Sequence, residues 1–193
     1  MYLTWTGSDV LFATSFPKHS RKIKYVYMLG MRLFAKLADK FVQKHVVVSE
    51  HLIKELTPLR LKKPIEVRNN PVFYPEPFEK KKHRTFNLIY YYPGDKKNRP
   101  FNRWLYGYDI MLTIKEMFPK INIIVIDGSL NMKWVYPFAD FCARPNRHDG
   151  DPRMIRECQI NNIPYYHSKE NPSLKELHDK IKYHFEKWRD TQS

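Results

Sequence analysis

Residues 121–126 read INIIVI, an apolar run that ends in Asp127 and Gly128. Isoleucine and valine favour β-strands. A run with little polar alternation is typical of a strand buried on both faces of its sheet, and such strands occur in parallel sheets that helices cover on both sides. This stretch therefore predicts a layered α/β domain.

Further strands and helices are predicted on either side of this run. The expected strands lie at residues 46–48, 65–67, 86–92, 139–143 and 163–167. Amphipathic patterns with helical spacing lie at residues 21–41, 103–118, 152–161 and 174–188. Ser173 and Glu176 have the spacing of a capping box at the start of the last helix. Alternating strands and helices pair in parallel through right-handed crossovers, so we expect a doubly wound parallel sheet.

A segment rich in proline and charge, YPEPFEKKKHR at residues 74–84, precedes the strand at residues 86–92. Domain boundaries commonly fall in segments of this composition. The sequence therefore predicts a first part at residues 1–80 and a second part at residues 81–193.

The chain is strongly basic. It has 193 residues, of which 34 are Lys or Arg and 20 are Asp or Glu, and its formal net charge is +14. This excess favours a polyanionic partner, such as a phosphorylated ligand, an anionic membrane surface or a nucleic acid. Two cysteines, Cys142 and Cys158, exclude a disulfide-rich scaffold, and we expect both to be reduced packing residues. The N-terminus has no signal-peptide pattern and no apolar run reaches the length of a membrane span, so a cytoplasmic protein, soluble or peripheral, is expected.

The candidate site follows the strand at residues 139–143. In doubly wound sheets, ligands bind at the carboxyl ends of the strands. There, Asp149 and Gly150 precede a predicted helix that carries Glu157. Carboxylates accept hydrogen bonds from sugar hydroxyls, and free N–H groups at a helix start can hold phosphate. The alternative is that Asp149 caps a turn while Glu157 pairs with a surface arginine.

An ordered series of motifs surrounds this pair. YPFAD at residues 136–140, PNRHDG at 145–150, Glu157 and IPYY at 163–166 follow one another, and Asp149 and Glu157 stand at the two ends of an E-x7-E-like spacing. With these, the chain resembles the C-terminal half of GT-B fold glycosyltransferases, especially the family-4-like retaining enzymes. The resemblance extends to four other segments, at residues 7–9 (GSD), 46–49 (VVVS), 65–71 (IEVRNNP) and 106–109 (YGYD).

The resemblance implies a Rossmann-like nucleotide-sugar-binding domain at residues 81–193, preceded by a remnant of the N-terminal domain and a crossover segment at residues 1–80. It implies that Glu157 holds the ribose hydroxyls and that Asp149, as the catalytic carboxylate, faces the reacting carbon of the donor sugar. The other donor-binding residues that it implies are Gly150, Asp151, Arg147, His148, Arg99, Arg103 and Lys97. No cofactor and no obligatory metal are expected, because basic residues stabilise the departing nucleoside diphosphate.

Three departures from the family pattern bear on activity. Asp149 stands where the family has a longer glutamate, Asp151 stands where it often has an aromatic residue, and Tyr106 stands where it has a lysine. In addition, little of an N-terminal domain precedes residue 81. Three interpretations stay open: the donor half of a transferase completed by a partner chain or a homo-oligomer, a minimal transferase, or a degenerate relative that binds a nucleotide without turnover.

Two other functions compete with this interpretation. The net charge and five aromatic residues near basic ones favour nucleic-acid binding by stacking; these are Tyr90, Tyr91, Tyr92, Trp104 and Tyr106. The helix at residues 21–41 begins with basic residues and has a broad apolar face, which favours an anionic membrane surface. That face could instead cover the sheet.

Overall fold

The computed structural model describes residues 1–5, 10, 13–14, 23–94 and 99–192, and the side chains of residues 23–27 and 99 lie outside that description. The chain forms two compact units. Unit 1 consists of Met1–Pro71 together with His148–Pro152, and unit 2 consists of Val72–Arg147 together with Arg153–Ser193. The predicted boundary between residues 80 and 81 therefore falls within unit 2.

Unit 1 contains a three-stranded parallel sheet in the order β1-β2-β3. The strands are β1 (Tyr2–Trp5), β2 (Lys44–Val47) and β3 (Ile65–Val67), and the helices are α1 (Ile23–Phe41) and α2 (His51–Leu56), which a 3-10 turn at Thr57–Leu59 follows. Trp5, Val47 and Leu52 are buried at the centre of its core. The strand β1 was not predicted, because four residues are too few for a clear alternating pattern.

A buried polar chain joins three elements of unit 1. The indole N–H of Trp5 donates to Nδ1 of His45 over 3.2 Å, so the proton of this imidazole lies on Nε2, which is 2.9 Å from Oδ1 of Asp39. The Asp39 carboxylate also accepts the backbone N–H groups of Lys62 and Lys63, over 2.8 Å and 3.0 Å. One carboxylate thus connects α1, β2 and the segment before β3.

Unit 2 contains a four-stranded parallel sheet in the order β5-β4-β6-β7. Its strands are β4 (Asn87–Tyr91), β5 (Asn122–Ile126), β6 (Phe141–Arg144) and β7 (Tyr165–His167). Its helices are α3 (Arg99–Leu105), α4 (Tyr108–Met117), α5 (Arg153–Ile160) and α6 (Leu174–Asp190), with 3-10 turns at Met132–Trp134 and Tyr136–Phe138.

Helices cover both faces of this sheet. Leu88 in β4 lies in one core cluster with Ile114 of α4 and Leu177 of α6, whereas the next residue, Ile89, lies in a second cluster with Cys158 of α5. Successive strand residues point to opposite faces, so the two clusters lie on the two sides of the sheet. The predicted α/β class with parallel strands is confirmed.

Two details of the prediction are wrong. The INIIVI run forms β5, which lies at the edge of the sheet and pairs only with β4; Val125 is 47% exposed there. The predicted helix at residues 103–118 is divided into α3 and α4, because Gly107 adopts a left-handed conformation with φ of +64°.

The two cysteines are free, buried thiols, as the sequence predicted. Cys142 lies in β6 and Cys158 in α5, and both side chains belong to the same core cluster. A hydrogen bond with Cys142, together with burial, holds the pKa of the Cys158 thiol well above its ordinary value. A buried thiol that stays protonated is chemically inert, so these residues act in packing.

Candidate functional site

The strand order of unit 2 contains a topological switch point. After β4 the chain adds β5 on one side of β4, and it then adds β6 on the other side. The segments that follow β4 and β6 therefore leave the same edge of the sheet in opposite directions, and ligands of open α/β sheets bind in the crevice formed there. Tyr91 ends β4 and Arg144 ends β6, and the Arg144 guanidinium carbon lies 5.1 Å from the centre of the Tyr91 ring.

The segment after β6 is fixed to the corner between α3 and α4. The backbone N–H of Arg147 donates to the carbonyl of Leu105 over 2.9 Å. The Arg147 guanidinium donates to the carbonyl of Trp104 over 2.6 Å, and to both carboxylate oxygens of Asp109 over 2.9 Å and 2.6 Å. Burial disfavours the charged form of Asp109, but the hydrogen bonds from Arg147 outweigh it and lower the pKa of this carboxyl.

These contacts give Arg147 a positioning role within unit 2. A bidentate pair of an arginine with a carboxylate fixes both the orientation and the distance of the two groups. The contact of Arg147 with a donor, which the sequence predicted, stays a prediction.

Aromatic side chains pack next to the corner between α3 and α4. The hydroxyl of Tyr90 donates to the carbonyl of Tyr106 over 2.9 Å, and the rings of Tyr90 and Tyr92 stack 6.2 Å apart. Both rings are buried, and burial raises the pKa of the Tyr90 hydroxyl. Rings in this position pack the core, so they do not offer an exposed stacking surface to nucleic-acid bases. The guanidinium of Arg103 covers the Tyr108 ring at 4.8 Å.

Glu157 lies on α5 and is 3% exposed. Its Oε1 accepts the backbone N–H of Phe73 over 2.8 Å, and its Oε2 accepts the hydroxyl of Tyr136 over 2.7 Å. Burial, together with this hydrogen bond, raises the pKa of Tyr136. Each carboxylate oxygen can accept a second hydrogen bond, so Glu157 has an internal role and still has lone pairs for a ligand hydroxyl.

Four of the predicted site residues belong to unit 1: His148, Asp149, Gly150 and Asp151. Asp149 is 8% exposed, and its Oδ1 accepts the backbone N–H of Gly150 over 3.0 Å. The carbonyl of Asp151 accepts a hydrogen bond from the Asn70 side chain over 2.9 Å. The predicted pair is thus divided, with Asp149 in unit 1 and Glu157 in unit 2.

A hydrogen bond between a histidine and a carboxylate in unit 1 was not predicted. Nε2 of His148 lies 2.6 Å from Oε2 of Glu55, and the His148 and His51 rings lie edge to face with centres 6.5 Å apart. His51 and Glu55 are four residues apart on α2, a spacing that places two side chains on one helix face. The sequence could have shown that His51 and Glu55 lie on one helix face, but it could not have shown that they contact His148.

Two predicted site residues lie outside this description. Lys97 is not among the described residues, and of Arg99 only the backbone is described, as the first residue of α3. The GSD motif at residues 7–9 also lies outside the described part. Across residues 1–5, 10, 13–14, 23–94 and 99–192, the structure contains no group of three or more His, Cys, Asp or Glu side chains that could hold a metal ion.

In comparisons with known proteins, no protein-family model and no curated protein matches this chain.

Proposed function

We propose that unit 2 binds a nucleotide-sugar donor, and that the chain transfers the sugar, or presents it for transfer, as retaining GT-B glycosyltransferases do. The observation that carries this proposal is the switch point between β4 and β6. The motifs that resemble the GT-B C-terminal domain occur in the same part of the chain, and they support the proposal independently of the strand order.

Within unit 2, charge and hydrogen-bonding capacity suit the parts of such a donor. Arg144, at the carboxyl end of β6, supplies positive charge where a diphosphate would lie, and Glu157 supplies acceptors for ribose hydroxyls. Positive charge held in place lowers the barrier to departure of a nucleoside diphosphate, because it meets the charge that develops in the transition state. Asp149 belongs to unit 1, and its catalytic role stays a prediction from the resemblance.

The first test is thermal unfolding of the chain with UDP-, GDP- and ADP-sugars. A ligand at one hundred times its Kd stabilises the folded state by about 2.7 kcal/mol, which raises Tm by roughly 5–10 °C for a chain of this size. Glu157→Gln should lose most of this shift, because it removes the charge and one acceptor oxygen. A measurement of nucleoside diphosphate release would then show whether the chain turns over the donor or only binds it.

The matched control is Tyr136→Phe. This substitution removes the hydrogen bond between the tyrosine hydroxyl and Glu157 but leaves the carboxylate in place. Each variant is compared with its own Tm without ligand, so that a loss of stability is not mistaken for a loss of binding. If no nucleotide sugar raises the Tm of the wild-type chain at millimolar concentration, the donor proposal fails.

A second candidate function concerns α1, which is apolar on both of its sides. Ala35 is buried in the core of unit 1, whereas the opposite side exposes five large apolar residues: Leu29, Leu33, Phe34, Leu37 and Phe41. Lys36 and Lys40 are exposed beside them, and Asp39, the one acidic residue of α1, is buried. Exposed apolar residues bordered by lysines fit an anionic lipid surface. No helix in the described part of the chain has the length and apolar character needed to cross a bilayer.

Flotation with phosphatidylserine-containing vesicles tests this second candidate. The double variant Leu33→Ser, Phe41→Ser should bind at least tenfold more weakly, because burying each of these side chains in an apolar environment contributes about 1.5–3 kcal/mol. Tyr183→Ser on α6, where the tyrosine is 60% exposed, is the matched control. Equal flotation of the double variant and the control would exclude α1 as the membrane-binding face.

A further inference from the structure

Three side chains in unit 1 form a polar cluster: His51, Glu55 and His148, here called the histidine cluster. Glu55 and His148 are joined by a 2.6 Å hydrogen bond between Oε2 and Nε2. Nδ1 of His51 lies 2.9 Å from Oγ of Ser49. The His148 side chain is 7% exposed and that of Glu55 is 20% exposed, so the cluster reaches solvent on the side of Glu55.

Each member of the histidine cluster has one buried polar atom with no hydrogen-bond partner among the described residues. These atoms are Nε2 of His51, Oε1 of Glu55 and Nδ1 of His148. More than nine in ten buried polar groups in proteins are hydrogen-bonded, and a buried group left unsatisfied costs about 1–3 kcal/mol. Three such atoms on neighbouring residues require polar partners, and a ligand with hydroxyl groups can supply them.

The chemistry of the three atoms selects the kind of ligand. An ionised carboxylate only accepts hydrogen bonds, so Nε2 of His148 carries the proton in the pair with Glu55. In the neutral ring, Nδ1 of His148 is then an acceptor, and Oε1 of Glu55 is a second acceptor. Phosphate is disfavoured, because its oxygens are acceptors and negatively charged, and neither Nδ1 of His148 nor Oε1 of Glu55 can donate a hydrogen bond to them. A hydroxyl group brings a donor and an acceptor, and it reproduces the hydrogen bonds that a water molecule would make.

We infer that the histidine cluster binds a neutral polyhydroxylated ligand, such as a sugar or a polyol, through its hydroxyl groups. Glu55 and His148 accept hydrogen bonds from ligand hydroxyls, and Nε2 of His51 makes a third. The site lies wholly within unit 1, and it does not depend on a nucleotide in unit 2. It gives His148, one of the predicted donor-binding residues, a hydroxyl contact within unit 1, and it adds Glu55 and His51 to the binding residues.

The experiment is an NMR titration of the full chain, in which the imidazole resonances of His51 and His148 are followed. The probes are glucose, galactose, mannose, N-acetylglucosamine and inositol, at concentrations up to about 100 mM, a range that detects millimolar binding, and inorganic phosphate in a separate titration. At least one sugar or polyol is expected to shift both resonances with saturation. Glu55→Gln should weaken the apparent Kd roughly tenfold, because it removes a charged acceptor.

Two further variants keep the result decisive. Glu50→Gln changes an exposed glutamate next to α2 and should leave binding unchanged. His51→Gln keeps the Glu55–His148 pair and should weaken binding even if Glu55→Gln does not fold. The inference is overturned if no sugar or polyol shifts the two resonances, if phosphate shifts them and the neutral probes do not, or if both cluster variants bind as well as Glu50→Gln. None of these outcomes depends on whether nucleotide sugars bind unit 2.

Discussion

Replacement of Gly107 by alanine is expected to lower the free energy of unfolding of unit 2 by about 3 kcal/mol or more. Gly107 has a φ of +64°, and a left-handed conformation costs roughly 1–2 kcal/mol for a residue with a Cβ atom. A Cβ atom at this position would also lie 2.2 Å from the backbone oxygen of Pro145. Backbone cannot rotate away as a flexible side chain can, so the α3–α4 corner or the segment after β6 must move. Urea unfolding followed by circular dichroism measures the loss.

Substitutions at two other glycines distinguish the cost of the left-handed backbone from the cost of the close contact with Pro145. Gly94 also has a positive φ, of +82°, but a Cβ atom there would meet nothing within 4 Å, so Gly94→Ala should show the backbone cost alone. Gly30 lies inside α1, and a Cβ atom there would also meet nothing within 4 Å. Gly30→Ala should therefore stabilise unit 1 by up to about 1 kcal/mol through helix propensity. A loss for Gly107→Ala no larger than that for Gly94→Ala would contradict the close contact with Pro145.

Asp39→Ala is expected to destabilise unit 1 by about 3 kcal/mol or more, because each buried polar group left without its partner costs about 1–3 kcal/mol. The substitution leaves the backbone N–H groups of Lys62 and Lys63 and the Nε2–H of His45 without their acceptor. Because folded proteins are stable by only about 5–15 kcal/mol, a loss of this size should clearly lower the urea concentration at which unit 1 unfolds. Fluorescence-detected urea unfolding measures the change, since Trp5 lies at the end of this polar chain.

The same carboxylate predicts a pH dependence. Burial disfavours its ionised form, but hydrogen bonds from Lys62, His45 and Lys63 outweigh this and hold the pKa of Asp39 below its ordinary value of 3.8. The pKa is depressed in the folded state, so its stabilising contribution is complete above pH 3.8 and is lost as the pH falls through the folded-state pKa. The difference in stability between wild type and Asp39→Ala should shrink in that range. Asp179→Ala is the control, because Asp179 forms an exposed pair with Lys175 and pairs of that kind contribute little to stability.

Features that depend on local sequence were predicted well. Ser173 caps α6, and its Oγ accepts the backbone N–H of Glu176 over 3.2 Å. Leu177 and Ile181, four residues apart on the predicted apolar stripe, are fully buried. Caps and stripes of this kind are set by residues within one or two helical turns, which is why a single sequence reveals them.

Features that depend on distant residues were not predictable in the same way. Strand order places β5 at the sheet edge, and no residue of INIIVI encodes that order. The sequence placed Asp149 before a predicted helix and Glu157 on that helix, but it could not show that Glu157 accepts a hydrogen bond from Phe73, 84 residues away. The Glu55–His148 pair joins residues 93 apart. Such contacts are properties of the folded chain.

Unit 1 consists of two separate stretches of the chain, and this limits where the chain can be divided into fragments that fold. A fragment that ends at Pro71 would retain His51 and Glu55 but not His148, and it would also lack Asp151, whose carbonyl is bound by Asn70. The first stretch is therefore not an independent module. Gene fusions, domain exchanges and circular permutations that cut the chain at residue 71 should be designed to carry residues 148–152 as well.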